Sequence, residues 1–285
     1  MSTRVSINGK IYKPEEAFIS VFDRAVLYGD GVYETLRTYQ GKMFLYQEHL
    51  KRLQLSMAAL GIHFNLTSEQ VADEIYRTLD AAGNPESMIR LMVSRGTSMI
   101  SLNPYECKEP TRIIIVEEYK PFPQKYYEEG ADLIIAETRR NYPKSLSPSI
   151  KSLNLLNNFL AYKEAVDKKA FDAVLLSVEG FVTEGTTFNV FWVKDGVIYT
   201  ADESVGILYG VTRELVFKLA DKNNIIWTKG LYKADALLQA DECFITSTLK
   251  EVMPIRKING TIIGKKCPGP LTALLMKLLG ELVAG

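Results

Sequence analysis

Histidine and cysteine are scarce in this chain, and neither sign of charge prevails. Only His49 and His63 occur among 285 residues, so no imidazole-based metal centre is expected. Cys107, Cys243 and Cys267 are far apart, odd in number and never arranged as CxxC. That argues against a disulfide framework and points to a reduced, intracellular setting. Lys plus Arg and Asp plus Glu each total 34, a formal net charge of zero. Bulk attraction to nucleic-acid phosphates is therefore not expected. The late apolar stretch from Leu271 to Val283 carries Lys277 and Glu281 and is too short to span a bilayer. It reads as a packed amphipathic helix. Met1-Ser2-Thr3-Arg4-Val5-Ser6 has no apolar signal core. A cytoplasmic protein without membrane or nucleic-acid partners is expected.

What is present is enough apolar residue for a real core, 47% of the chain. Residues 4 to 46 read as strands. Asn8-Gly9 turns one hairpin, and Val32–Tyr39 returns through Met43–Tyr46 in another. Leu50, Leu53, Met57 and Leu60 give a helical stripe over 48–60, stopped by Gly61. Ser68 can cap a helix to about Ala82. Strands follow at 88–95 and 112–117. Pro121 and Pro123 mark a linker at 119–126, between an N-terminal domain (1–118) and a C-terminal domain (127–285). The second domain reads as strands at 132–137, 173–178, 181–183, 189–194 and 197–199, with helices at 155–169, at 212–222 and near the end. The fold class is mixed α/β or α+β with two lobes.

Two residues suggest chemistry. Lys151 lies in the strand-like run Ile150–Asn154, with Leu153, Leu155, Leu156, Phe159 and Leu160 following. Packing there would desolvate the ammonium and yield the neutral amine that attacks an aldehyde; a solvated surface charge is the plainer reading. Glu184 lies among strand-forming residues and could hold a pyridine nitrogen protonated, or be an exposed turn acid beside Gly185. At ~3 Å and an effective dielectric of ~20, the Coulomb term is roughly 5 kcal/mol before desolvation. An amine and an acid are the groups that hold and tune pyridoxal phosphate.

Phosphate requires donors and positive charge. Val211-Thr212-Arg213 opens a helix after Gly210. Ser247 and Thr248 follow a strand-like run, and Arg52 flanks the first helix. Each is otherwise a cap or a surface charge. Strand alternation places Tyr33, Thr35, Arg37 and Tyr39 on one face, where Arg37 can meet a carboxylate. Arg90 is a second arginine within a strand. A paired structural arginine is the alternative for both. Gly29-Asp30-Gly31 is not a dinucleotide fingerprint, because Glu34 occupies the third glycine position and a strand follows.

Assembled, these residues resemble the class IV aminotransferases, pyridoxal-phosphate enzymes of fold type IV. The resemblance covers nearly the whole chain. It is carried by Glu184, Asn189, Phe191, Ile198, Thr200 and Gly210–Arg213, by Tyr28–Glu34 and by His49–Leu53. It implies a smaller N-terminal α/β domain and a larger, barrel-like C-terminal α/β domain. Lys151 would form the internal aldimine with the cofactor and shuttle the Cα proton. Glu184 would face the pyridine nitrogen. Arg52, Thr212 and Thr248 would take the phosphate, with Val211 and Ser247 beside them, and Leu208 would pack on the ring. Tyr28, Tyr33, Arg37 and Arg90 would line the substrate side. A homodimer is implied.

Subfamily signals conflict. Arg37 and Met88-Ile89-Arg90-Leu91 resemble branched-chain aminotransferases, yet Thr35 stands where those carry glycine. The run Ile150–Leu156 resembles D-amino-acid aminotransferases, but Met99-Ile100-Ser101 replaces their Arg-x-His pair. Asn157-Asn158, Val190–Trp192 and Gly206–Leu208 resemble aminodeoxychorismate lyases. Ping-pong transfer from a branched-chain or other hydrophobic L-amino acid to a 2-oxo acid such as 2-oxoglutarate is the leading expectation. The lyase is the alternative, and D-amino acid or (R)-amine transfer a further one.

Overall fold

The computed structural model describes residues 3–107 and 109–284. Met1 and Ser2, at the head of the segment read for a leader, lie outside the described residues, as do Lys108 and Gly285. The chain divides into two compact units: Met1–Lys120 with Ile150–Asn154, and Pro121–Ser149 with Leu155–Gly285. The short segment bearing Lys151 thus belongs with the N-terminal unit, apart from the residues on either side of it.

The first unit contains β1 (Arg4–Ile7), β2 (Lys10–Tyr12), α1 (Arg24–Tyr28), β3 (Gly31–Tyr39), β4 (Lys42–Met43), α2 (Tyr46–Leu60), α3 (Ser68–Ala82), β5 (Ser87–Ser94) and β6 (Thr111–Glu118). Its strands form one antiparallel sheet in the order β2-β1-β6-β5-β3-β4. The helices α2 and α3 cover one face of it, and Leu36, Leu53, Ile75, Ile89, Leu91 and Ile114 fill the space beneath them. Each such side chain contributes roughly 1.5–3 kcal/mol through burial. Period-two alternation then assigns the opposite face. On β3 it carries Tyr33, Thr35 and Arg37, which lie directly across from Met92, Arg90 and Met88 of β5.

The second unit contains α4 (Lys125–Glu128), β7 (Ala131–Ile135), α5 (Leu156–Asp167), β8 (Asp172–Leu176), β9 (Val182–Gly185), β10 (Asn189–Lys194), β11 (Val197–Ala201), α6 (Val211–Lys222), β12 (Trp227–Gly230), α7 (Asp235–Leu238), β13 (Glu242–Ser247), β14 (Glu251–Ile258), β15 (Thr261–Ile262) and α8 (Pro270–Ala284). Eight strands run β12-β11-β10-β13-β14-β7-β8-β9, with β15 added on β14. The sheet mixes parallel pairs (β11 with β12, β14 with β7, β7 with β8) with antiparallel ones. It curls into a half-barrel, so that β9 comes back against β10. Trp192, Phe188, Val190, Ile245 and Met253 are in its core. Among the described residues no helix is long and apolar enough to cross a membrane.

Several local expectations need correction. Residues 24–28, within the stretch read as strands, form a helix, because the Asp23 carboxylate accepts the Ala25 N–H and caps it. The return strand of the second hairpin is only two residues long, and Tyr46 already starts α2. The cap of α3 is Thr67, in a reciprocal box with Gln70, rather than Ser68. Ile150–Asn154 is no strand: Ser152 makes a single bridge to Val32. Leu156, Phe159 and Leu160, expected to pack that segment, lie exposed on α5.

Candidate active site

Lys151 is fixed through its backbone. Its N–H donates to Ser56 Oγ on α2 at 3.1 Å, and its carbonyl accepts the Tyr33 N–H at 2.9 Å. The next residues continue along the start of β3: the Leu153 N–H reaches the Gly31 carbonyl at 2.9 Å, and Asn154 Nδ2 reaches the Gly29 carbonyl at 2.8 Å. Gly31 permits this approach, since a Cβ there would stand 2.7 Å from Leu153 Cδ1 and 2.8 Å from the Val93 carbonyl oxygen. The Gly29-Asp30-Gly31 motif is thus the seat of the lysine segment. The half-buried Lys151 amine lies 4.4 Å from the Tyr33 ring centroid.

Tyr33 also carries a second cation. The Arg90 guanidinium lies 3.7 Å from the centroid of its ring, and Arg90 Nη1 donates to Thr35 Oγ1 at 3.4 Å. Arg37 is held between the Tyr39 and Tyr119 rings at 3.9 and 3.7 Å. Stacking fixes each guanidinium plane, and Arg37 Nε also donates to the Thr38 carbonyl at 3.4 Å. Tyr28 ends α1, beneath the Arg24 guanidinium at 4.8 Å.

On the other face of β3, Glu34 is fully buried and was assigned no role by sequence reasoning. It takes Arg52 Nε and Nη2 at 2.7 Å each, and His49 Nδ1 at 2.8 Å. Burial pushes the Glu34 carboxyl upward, but Arg52 and His49 outweigh it and hold it at about 2. Burial lowers the His49 pKa, against the pull of Glu34. Arg52, the expected phosphate ligand, is therefore fixed by an acid three strand positions from Arg37.

In the second unit Glu184 is 4% exposed and fully engaged. Arg140 donates to its Oε1 through Nε at 2.9 Å and Nη2 at 2.8 Å. The Leu208 N–H at 3.0 Å and Asn189 Nδ2 at 3.3 Å reach its Oε2. Asn189 Nδ2 also bonds the Leu208 carbonyl at 3.1 Å. Arg140 is in turn held by Asn157 Oδ1 at 3.1 Å and Asn158 Oδ1 at 3.3 Å. Neither Arg140 nor its two asparagines was assigned this function from the sequence. Arg139-Arg140 after a predicted strand was the only cue.

Two residues past Leu208, Gly210 caps α6. A Cβ at Gly210 would stand 1.9 Å from Asn189 Oδ1, so any larger residue here must displace that side chain. The first intrahelical bond of this turn runs from Glu214 N–H to the Gly210 carbonyl, so the amides of Val211, Thr212 and Arg213 precede it. Arg213 itself is turned inward, onto the Ala201 carbonyl and Glu203. Ser247 ends β13 and Thr248 begins the turn into β14, where Ser247 Oγ accepts the Lys250 N–H at 3.1 Å.

This donor set fits pyridoxal phosphate. Within the second unit a carboxylate of fixed orientation and a helix N-terminus are joined by Asn189, one side chain touching both. Those are the partners for a ring nitrogen and for a phosphate carried on the same ring. The primary amine of Lys151 belongs to the first unit. The expected residues fall into two groups: Tyr28, Tyr33, Arg37, Arg52, Arg90 and Lys151 in one unit, and Glu184, Leu208, Val211, Thr212, Ser247 and Thr248 in the other.

Comparison with known proteins agrees with this chemistry. Residues 31–258 match the model of amino-transferase class IV. The chain is 39% identical over 272 residues to a protein provisionally named a branched-chain-amino-acid aminotransferase in Methanocaldococcus jannaschii, covering 95% of this chain and 93% of that one. It is 35% identical over 269 residues to the D-alanine aminotransferase of Bacillus licheniformis, covering 94% and 93%. The crystal structure of a T.th. branched-chain amino acid aminotransferase with pyridoxamine 5'-phosphate superposes with a TM-score of 0.94 at 30% identity, covering 99% of this chain and 94% of that one. The chain belongs to the class IV aminotransferase family and has its fold type IV architecture. It is an enzyme of a family that uses pyridoxal phosphate, amino acids and 2-oxo acids.

Proposed function

We propose that this enzyme is a transaminase using pyridoxal 5'-phosphate. It moves the amino group of a branched-chain or other hydrophobic L-amino acid to a 2-oxo acid such as 2-oxoglutarate, in a ping-pong cycle. The bound cofactor supplies an electron sink at the substrate Cα. Lys151 Nζ anchors the cofactor and moves the Cα proton, and the Tyr33 ring beneath it keeps the amine in place. Glu184, orientated by Arg140, Asn189 and the Leu208 amide, holds the ring nitrogen in its protonated form. The Val211 and Thr212 amides, the Thr212 and Thr248 hydroxyls, Ser247 and Arg52 would hold the phosphate, with Leu208 beside the ring. Tyr28, Tyr33, Arg37 and Arg90 receive the substrate, the stacked arginines taking carboxylates.

The observation that carries this reading is Lys151, a half-buried amine seated on an aromatic ring in a chain of this family. Met88 and Met92, on the same sheet face as Arg37 and Tyr33, support an apolar side-chain pocket. The similarity to branched-chain aminotransferases points the same way. A cytoplasmic homodimer is part of the proposal. The exposed Phe18, Val21 and Val26, and Leu156, Phe159 and Val166 on α5, are apolar area suited to a second copy.

A substrate panel tests the proposal. L-leucine with 2-oxoglutarate should yield L-glutamate; D-alanine with 2-oxoglutarate and aminodeoxychorismate alone should be poor. Preferred D-alanine would transfer the assignment to D-amino acids. Pyruvate released from aminodeoxychorismate without an acceptor would make the protein a lyase. The long-wavelength absorbance of the cofactor-loaded protein should vanish in Lys151→Ala, and an unchanged band would sink the role of Lys151.

A further inference from the structure

The Gly29-Asp30-Gly31 motif does more than seat the lysine segment. Asp30 lies between two guanidiniums. Arg24 Nε reaches its Oδ2 at 2.7 Å, and Arg95 reaches Oδ2 with Nε at 2.7 Å and Oδ1 with Nη2 at 3.1 Å. Arg95 also binds the Leu60 carbonyl at the end of α2 at 2.7 Å and the carbonyl of its cap, Gly61, at 3.1 Å. Arg24 turns the other way. Its Nη1 donates to the Ser101 carbonyl at 2.7 Å, and its guanidinium lies over the Tyr28 ring. At 4% exposure Arg24 is among the most buried charged residues of its unit.

Ser101 belongs to the loop 96–103, where subfamily signals conflict most. The loop has little apolar anchorage of its own: Met99, Ile100 and Leu102 are 75%, 75% and 79% exposed. Its placement relies on polar contacts with residues 22–24. The Arg24 N–H meets the Gly96 carbonyl at 2.9 Å, the Ser98 N–H meets the Phe22 carbonyl at 3.3 Å, and Asp23 bridges Thr97. The Arg24 bond to Ser101 reaches farther along the loop than these and is charge-assisted.

We propose that Arg24 is a positioning residue for substrate selection: anchored on Asp30, it holds Tyr28 and the 96–103 loop as one unit. The proposal rests on the transaminase reading for what this wall selects. One side chain spans three partners. An ammonium in its place could keep Asp30 but could not also reach the Ser101 carbonyl and cover the Tyr28 ring. The loop would then lose this charged tether, while the Asp30–Arg95 pair and the lysine segment stayed intact.

The test compares the cofactor-loaded wild type with Arg24→Lys and Arg24→Met. Limited chymotrypsin digestion reads the loop directly, through cleavage after Met99, Leu102 and Tyr105. Cleavage should quicken roughly tenfold in Arg24→Lys, the size expected for losing one hydrogen bond to a charged group. The KM for the amino donor should rise by a similar factor while kcat stays within about twofold, the signature of lost binding rather than lost chemistry. Arg24→Met should exceed Arg24→Lys in both readouts; if it fails to fold, Arg24→Lys alone decides. Unchanged cleavage would overturn the proposal. So would faster cleavage with an unchanged KM, since Arg24 would then be structural only. A wild type inactive across the substrate panel would refute the transaminase reading separately, and the cleavage rates would still decide whether Arg24 holds the loop.

Discussion

Arg52 and Glu34 meet as a bidentate pair, Nε to Oε1 and Nη2 to Oε2, both at 2.7 Å. The pair ties α2 to β3 on the face of the sheet opposite Tyr33, and His49 adds a third contact. A charge this deeply buried is tolerated because it is paired and hydrogen-bonded, and removing one partner strands the other.

That cluster predicts acid sensitivity. Glu34 titrates at about 2 in the native state against 4.5 ordinarily, so its contribution is full above the ordinary value and is lost as pH falls toward 2. A shift of that size is on the order of 3 kcal/mol. Burial also lowers the His49 pKa from its ordinary 6.5, which acts in the same direction. Below that value the unfolded chain takes up a proton that the native imidazole refuses. The thermal midpoint should therefore decline below pH 6.5 through His49 and more steeply between pH 4.5 and about pH 2 through Glu34, and His49→Gln should flatten the first part of the decline. A midpoint constant over that range would exclude this account.

Arg140 and Glu184 form the corresponding pair of the second unit. Arg140→Met should cost roughly 3 kcal/mol in urea unfolding, because it leaves the 4%-exposed carboxylate without its cation. Adding Glu184→Gln should recover part of that loss, since the two changes remove one interaction. Additive losses in the double variant would show that the pair does not act as a unit.

Gly210→Ala should disturb the start of α6 although alanine favours helices. The new Cβ would fall 1.9 Å from Asn189 Oδ1 and must displace it, at a cost of about 1–3 kcal/mol. Because Asn189 also holds Glu184, the cofactor's absorbance band should shift as well. Combining it with Asn189→Ala should relieve the clash. A Gly210→Ala protein with wild-type midpoint and spectrum would show that α6 adjusts freely.

Much of this was readable in the sequence. The stripe of Leu50, Leu53 and Met57 marked α2, and Gly61 with φ of 64° ends it where expected. Alternation in β3 put Tyr33 and Arg37 on one face, and the structure keeps them there. The motif from Glu184 to Arg213 was legible because its parts lie on consecutive elements. The five-residue helix α1 was not, since one turn held by a single Asp23 cap has no periodicity to detect. Arg140 was missed because nothing in its spacing marks a partner 44 residues away.

Residue identity and short-range pattern place an amine at Lys151, an acid at Glu184, donors at the head of α6, and the apolar faces of helices and strands. These are properties of residue type and short-range period, which fix local conformation and burial. Which partners those groups meet emerges only in the folded chain. Lys151 is seated on Tyr33 and the Gly29–Gly31 turn, Glu184 is claimed by Arg140, and Asp30 joins Arg24 to Arg95. Each of these contacts depends on how distant segments return to one another, which packing of the whole sheet sets and no local spacing encodes.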